Sequence, residues 1–81
     1  MPDTIQVRVR LHGILRDKLP PEAKGQVEQT LPPEASIQSV IDNLGLDGHL
    51  NAAVNEVVID DFDHSLHDGD MIEIFLPVAG G

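Results

Sequence analysis

Ser36-Ile37-Gln38-Ser39-Val40-Ile41-Asp42-Asn43-Leu44-Gly45-Leu46 is the clearest helical stretch of the chain. Ile37, Val40, Ile41 and Leu44 fall at i, i+3, i+4 and i+7, so one apolar stripe runs along a helix of about nine residues. The Ser36 hydroxyl can accept from the free amides of the first turn. Gly45 suits a left-handed stop, and Leu46 is placed to make the hydrophobic contact that accompanies such a cap.

On the N-terminal side, residues 4–11 alternate strictly. Ile5, Val7, Val9 and Leu11 share one face while Gln6, Arg8 and Arg10 share the other, the pattern of a half-buried strand. His12-Gly13 breaks the alternation, and residues 12–25 read as a connection holding a short turn-like stretch that ends at Pro20-Pro21. Val27 and Leu31 lie on a short second strand, ended by Pro32-Pro33 because proline cannot donate to a ladder. Hairpin pairing with the first strand is expected.

On the C-terminal side, Asp47-Gly48 makes a turn, Ala52-Ala53-Val54-Asn55 a short strand, and Val57-Val58-Ile59 its local partner. Residues 60–70 are polar apart from Phe62 and Leu66, with Leu66 expected to tuck the segment down, and they close in the turn Asp68-Gly69-Asp70. Met71 to Leu76 form the last strand, with Ile72, Ile74 and Leu76 on one face and Met71, Glu73 and Phe75 on the other. A helix after the second strand lets this last strand lie parallel to the first. The expected fold is α+β, a mixed sheet gripping one main helix in a β-grasp arrangement. Residues 1–76 form the domain and 77–81 a flexible tail.

With 81 residues, a single core is all the chain can build. At 41% apolar and 23% charged residues it is too hydrophobic for a disordered acidic segment, yet it has no apolar run of the length a membrane span needs. No secretory signal is visible, so the expected compartment is the cytoplasm, without a membrane partner. Cysteine is absent, which removes disulfides, thiolate metal sites and a cysteine nucleophile together. Five basic against fourteen acidic residues give a net charge of −9, with two phenylalanines the only aromatic side chains among Phe, Trp and Tyr. Nucleic acid is thereby a poor partner, since phosphates call for cationic patches and single strands for stacking platforms. A basic protein surface is the better match.

Pro77-Val78-Ala79-Gly80-Gly81 follows the last strand and carries the chemical signal. Pro77 keeps Leu76 extended, and five residues at about 3.3–3.6 Å each reach roughly 17 Å. Gly80 and Gly81 lack Cβ atoms and can enter a channel too narrow for a side chain. Pro77, Val78, Ala79 and Gly80 are therefore the candidate threading residues, and Gly81 offers a bare carboxylate. A frayed terminus is the alternative reading.

Leu15-Arg16-Asp17, Val54-Asn55, Leu66-His67-Asp68-Gly69-Asp70 and Pro77-Val78-Ala79-Gly80-Gly81 together resemble the MoaD/ThiS family of ubiquitin-like sulfur carriers. The likeness runs over nearly the whole chain, in family order and spacing. The Leu-Arg segment and the length favour the MoaD branch, the small subunit of molybdopterin synthase, over the ThiS branch of thiamin synthesis. Three positions depart from the pattern. Glu56 follows Asn55 where a glycine is common, Leu76 stands where a proline is common, and His12 replaces an aromatic residue.

The resemblance implies that an adenylyltransferase of the MoeB/ThiF type uses ATP to adenylate Gly81, and that a sulfur donor displaces AMP to leave a thiocarboxylate. The loaded tail then enters the molybdopterin synthase large subunit, of the MoaE type, or delivers its sulfur to a thiazole synthase. The chain is on this reading no enzyme but a consumable cosubstrate, binding no cofactor of its own. A ubiquitin-like modifier conjugated through Gly81 is an alternative, and a noncovalent binding module is another.

His64 and His67, set among Asp60, Asp61, Asp63, Asp68 and Asp70, match no calcium-loop spacing, and the segment reads as a solvated acidic loop rather than a metal site. Met71 and Phe75 either complete a core covered on both faces or form an apolar docking patch beside the tail, with Asp68 and Asp70 on its acidic rim.

Overall fold

The computed structural model describes residues 3–77. Five strands and one α-helix follow in the order β1 (Ile5–Leu11), β2 (Gln26–Leu31), α1 (Ile37–Leu44), β3 (Asn51–Val54), β4 (Val57–Ile59) and β5 (Met71–Phe75). They form a single sheet ordered β2-β1-β5-β3-β4. β1 pairs antiparallel with β2 and parallel with β5, with Val9 opposite Val27 on one side and Ile72 on the other. β3 pairs antiparallel with both β5 and β4. The mixed β-grasp sheet expected from the sequence is the one formed.

Alternation along β1 decides which face is covered. Val7, Val9 and Leu11 are buried beside Ile72 and Ile74 of β5 and Ala52 and Val54 of β3. Ile37, Val40 and Ile41 of α1 join the same cluster. Burying such a side chain contributes about 1.5–3 kcal/mol, so this one layer of contacts accounts for most of what holds so small a domain together.

The ends of α1 are satisfied as the sequence implied. The Ser39 amide donates to the Ser36 hydroxyl at 3.4 Å, and the Ser36 amide donates back to the Ser39 hydroxyl at 3.2 Å. The two remaining amides of the first turn find partners in the acidic loop, Ile37 N–H donating to the His64 carbonyl and Gln38 N–H to the Phe62 carbonyl. Leu66 is buried and its amide donates to the Ala35 carbonyl, so the loop is tucked down as expected. At the far end Gly45 takes φ +70°, and the buried Leu46 donates back to the Ile41 carbonyl.

Two details were not legible. The connection 12–25 contains two short 3-10 turns, Gly13–Lys18 and Pro21–Ala23. It closes at Gly25, where φ is +78° and a Cβ would lie 2.9 Å from Arg16 Nε and 3.0 Å from the Leu11 carbonyl oxygen. No other residue fits there without displacing backbone. The β3–β4 connection is a two-residue turn with Asn55 at φ 50° and Glu56 at φ 72°. Both central residues are left-handed, as a type I′ hairpin requires. Glu56 thus occupies a glycine-favoured conformation, and the turn is kept in spite of the missing glycine.

Candidate functional site

β5 is the central element of the site, because it runs through the middle of the sheet and leads straight into the tail. Its N-terminal end is tied by a dense set of hydrogen bonds. The Asp70 carboxylate accepts from the His67 amide at 2.8 Å through Oδ2 and from the Asn55 side-chain amide at 3.0 Å through Oδ1. Asn55 Oδ1 accepts in turn from the Met71 amide at 3.0 Å, and the Asn55 amide donates to the Met71 carbonyl at 2.8 Å. Asp68 Oδ1 accepts from the Gln6 amide at 2.8 Å, Gly69 N–H donates to the Gln6 carbonyl, and Arg8 N–H to the Asp70 carbonyl. The turn Asp68-Gly69-Asp70 is therefore a clasp that joins β1, the β3–β4 turn and the start of β5. The Asp70 side chain is only 12% exposed and its two oxygens point into this clasp, whereas Asp68 remains exposed.

Met71 and Phe75 lie half-buried on the sheet face opposite α1, in register with Arg8 and Asn51 respectively. Between them Glu73 pairs across to Arg10 and Ala53. His12, isolated in the sequence, is brought here by the parallel pairing of β1 and β5. Its Nε2 lies 2.9 Å from Glu73 Oε2, its ring stands edge-on to Phe75 at 6.4 Å between centroids, and its amide donates to the Ile74 carbonyl. Three consecutive residues of β5 are thus held by the side chain and backbone of the residue that follows β1. Sixty-one positions separate His12 from Glu73, so no local pattern could have announced the pair.

Ladder pairing stops at Phe75, after which Leu76 is 37% exposed and Pro77 exposed. Val78, Ala79, Gly80 and Gly81, which carry the expected threading and carboxylate roles, lie outside the described residues. What the described site contributes is a strand clasped at one end and, among the described residues, without ladder pairing after Phe75.

The histidines and aspartates of residues 60–70 do not converge on one point. His67 Nδ1 is 3.9 Å from Asp70 Oδ2, but no three His, Asp or Glu side chains among the described residues come together to hold a metal ion. No helix among them is long and apolar enough to cross a membrane.

Comparison with known proteins is consistent with this layout. The sequence model of the ThiS family matches residues 9–81. The molybdopterin synthase sulfur carrier subunit of Escherichia coli (strain K12) is 54% identical over 35 residues, which is 43% of this chain and 42% of that protein's length. The small archaeal modifier protein 1 of Haloferax volcanii superposes with a TM-score of 0.75 at 17% identity, covering 91% of this chain and 99% of the other. A structure of the complex of subunits 1 and 2 of molybdopterin-converting factor from Helicobacter pylori 26695 contains a chain that superposes with a TM-score of 0.60 at 23% identity, over 95% of this chain and 100% of that one. At these identities the superpositions speak for the shared β-grasp fold.

Proposed function

The chain belongs to the ThiS family, a family of ubiquitin-fold sulfur carriers, and from that premise we propose that it carries sulfur for molybdopterin synthesis as a thiocarboxylate on Gly81. The observation that carries this reading is the extent of the family match, which continues through the Pro77-Val78-Ala79-Gly80-Gly81 sequence. The likeness to the Escherichia coli sulfur carrier subunit favours molybdopterin over thiamin as the pathway.

The chemistry follows from the weakness of a carboxylate as an electrophile. A terminal carboxyl group, with an ordinary pKa near 3.5, is an anion at neutral pH and must be activated. In the proposed sequence a carboxylate oxygen of Gly81 attacks the α-phosphate of ATP on an adenylyltransferase of the MoeB/ThiF type and pyrophosphate leaves. A sulfur donor then displaces AMP, so that one oxygen of the carboxylate is replaced by sulfur. The thiocarboxylate sulfur is the nucleophile delivered inside the large subunit of the synthase. This chain supplies the carrier and the large subunit the catalytic groups. The body's part is to hold β5 rigid so that the tail leaves from a fixed root, while Met71 and Phe75 on the open face dock against the partner. Asp68 adds negative charge at that rim, and Asp70 positions the turn.

A second reading, a protein modifier joined to lysines through Gly81, is favoured by the likeness to the archaeal modifier protein. One experiment separates the two. The protein is incubated with a cognate adenylyltransferase, ATP and a sulfide source, and its intact mass is measured. Replacement of one oxygen by sulfur in the wild type, absent in Gly81→Ala, supports the carrier. The same incubation with cell extract added, if it gave adducts on cellular proteins without any sulfur-loaded form, would overturn it in favour of the modifier.

A further inference from the structure

We propose that the free edge of β4 takes up an extended basic segment of a partner protein as a sixth strand of the sheet. The proposal rests on the fold alone and is independent of the chemistry of the tail.

β4 lies at the margin of the sheet and pairs only with β3, Val54 facing Val57, Ala53 facing Val58 and Ala52 facing Ile59. In a hairpin closed by a two-residue turn, the pair flanking the turn exchanges its hydrogen bonds, and the next pair does not. Val58 N–H and C=O therefore point outward, away from β3, and offer one donor and one acceptor to an added strand. The side chains there are apolar and uncovered. Val57 is 60% and Val58 62% exposed, on opposite faces of the strand. They are the only adjacent pair of exposed large apolar side chains among the described residues. The opposite margin is built differently, for the exposed side chains of β2 are Glu28 and Thr30. Of the two edges, only β4 combines free backbone groups with apolar side chains.

Charge selects the occupant. Glu56 precedes the strand and Asp60 and Asp61 follow it, all exposed and none in an ion pair among the described residues. A second copy paired antiparallel about Val58 would set Glu56 of each chain beside Asp60 of the other. Like charges would then face each other twice, between molecules that each carry −9. The same carboxylates favour a segment with lysine or arginine two positions to either side of the residue that pairs with Val58. The acidic flanks thus discourage self-pairing and attract a basic strand.

The test titrates isotope-labelled protein with the capped peptide Lys-Lys-Val-Thr-Val-Lys-Lys, using Glu-Glu-Val-Thr-Val-Glu-Glu as the control. The proposal expects the basic peptide to shift the amide signals of residues 56–60 and to slow exchange of the Val58 amide, by on the order of tenfold at saturation. Binding should weaken as salt rises. Val58→Lys, an exposed position that should stay folded, and the double charge reversal Glu56→Lys, Asp60→Lys should each abolish the effect with an unchanged melting profile. Equal binding of the acidic peptide, shifts confined to Met71 and Phe75, or no binding would overturn the proposal. So would a concentration-dependent dimer in sedimentation that protects Val58 without peptide, since the occupant would then be a second copy.

Discussion

The two ends of β5 are built on opposite plans. At Met71 the strand is entered through a clasp in which Asp70 and Asn55 hold backbone and side-chain amides from three segments. At Phe75 it leaves the ladder, where the side chain of His12, the residue after β1, reaches Glu73 and Phe75. Both ends sit in the same sheet, and the terminal residues Met71 and Phe75 are alike half-buried. On the proposed function, the difference is in what each end must do. A tail can be presented at a fixed position only if its strand is anchored elsewhere, and the anchoring is concentrated where it does not interfere with the exit. Hydrogen bonds to an ionised carboxylate in a partly buried setting are among the stronger polar contacts, which suits them to the anchor.

This contrast can be broken most directly at Asp70. Asp70→Ala removes both carboxylate acceptors that Asp70 gives the clasp and leaves the His67 amide and the Asn55 side chain without that partner. A loss of about 2–4 kcal/mol is expected in denaturant unfolding, with faster amide exchange at Asn55 and Met71. Asn55→Ala should cost less, about 1–2 kcal/mol, since it deletes two side-chain hydrogen bonds and also places alanine at a positive φ. A change below the error of either measurement would show that the clasp is not an anchor.

Glu56 sharpens the comparison with the opposite sign. Its φ of 72° is costly for a residue with a Cβ and free for glycine, so Glu56→Gly should raise stability by roughly 0.5–1 kcal/mol, read as a higher denaturant midpoint. The exit end should be the least sensitive. His12 is exposed enough that its contact with Glu73 is screened by solvent, so His12→Gln is expected to change stability by less than about 0.5 kcal/mol. A large loss at His12 with little at Asp70 would reverse the assignment of anchor and exit.

Much of this was legible because it is written in local periodicity. The alternation of Ile5, Val7, Val9 and Leu11, the stripe Ile37, Val40, Ile41 and Leu44, and the capping pair Ser36 and Gly45 each depend on neighbours within a few residues. The last strand and its parallel partnership with the first followed from element order. The roles of Asp68 and Asp70 were harder to see. As charges in a polar loop they suggested an acidic rim, and only the packed sheet shows that Asp70 faces inward to Asn55 and His67. Met71 and Phe75 were ambiguous for a related reason, since alternation reports two faces but not whether a second layer covers the outer one. In the folded chain both side chains are half-buried on the open face.

The sequence by itself determined the one-helix β-grasp, the strand that precedes the tail, and the family to which the Gly-Gly ending belongs. The tertiary structure alone decided that His12 meets Glu73, that Gly25 must admit Arg16, that Glu56 adopts a glycine's conformation, and that the edge of β4 is apolar and unpaired. The division follows from range. Helical and strand periods and caps are set by groups within one or two turns of chain, whereas contacts across a parallel crossover join residues some sixty positions apart, whose meeting depends on the register of the whole sheet.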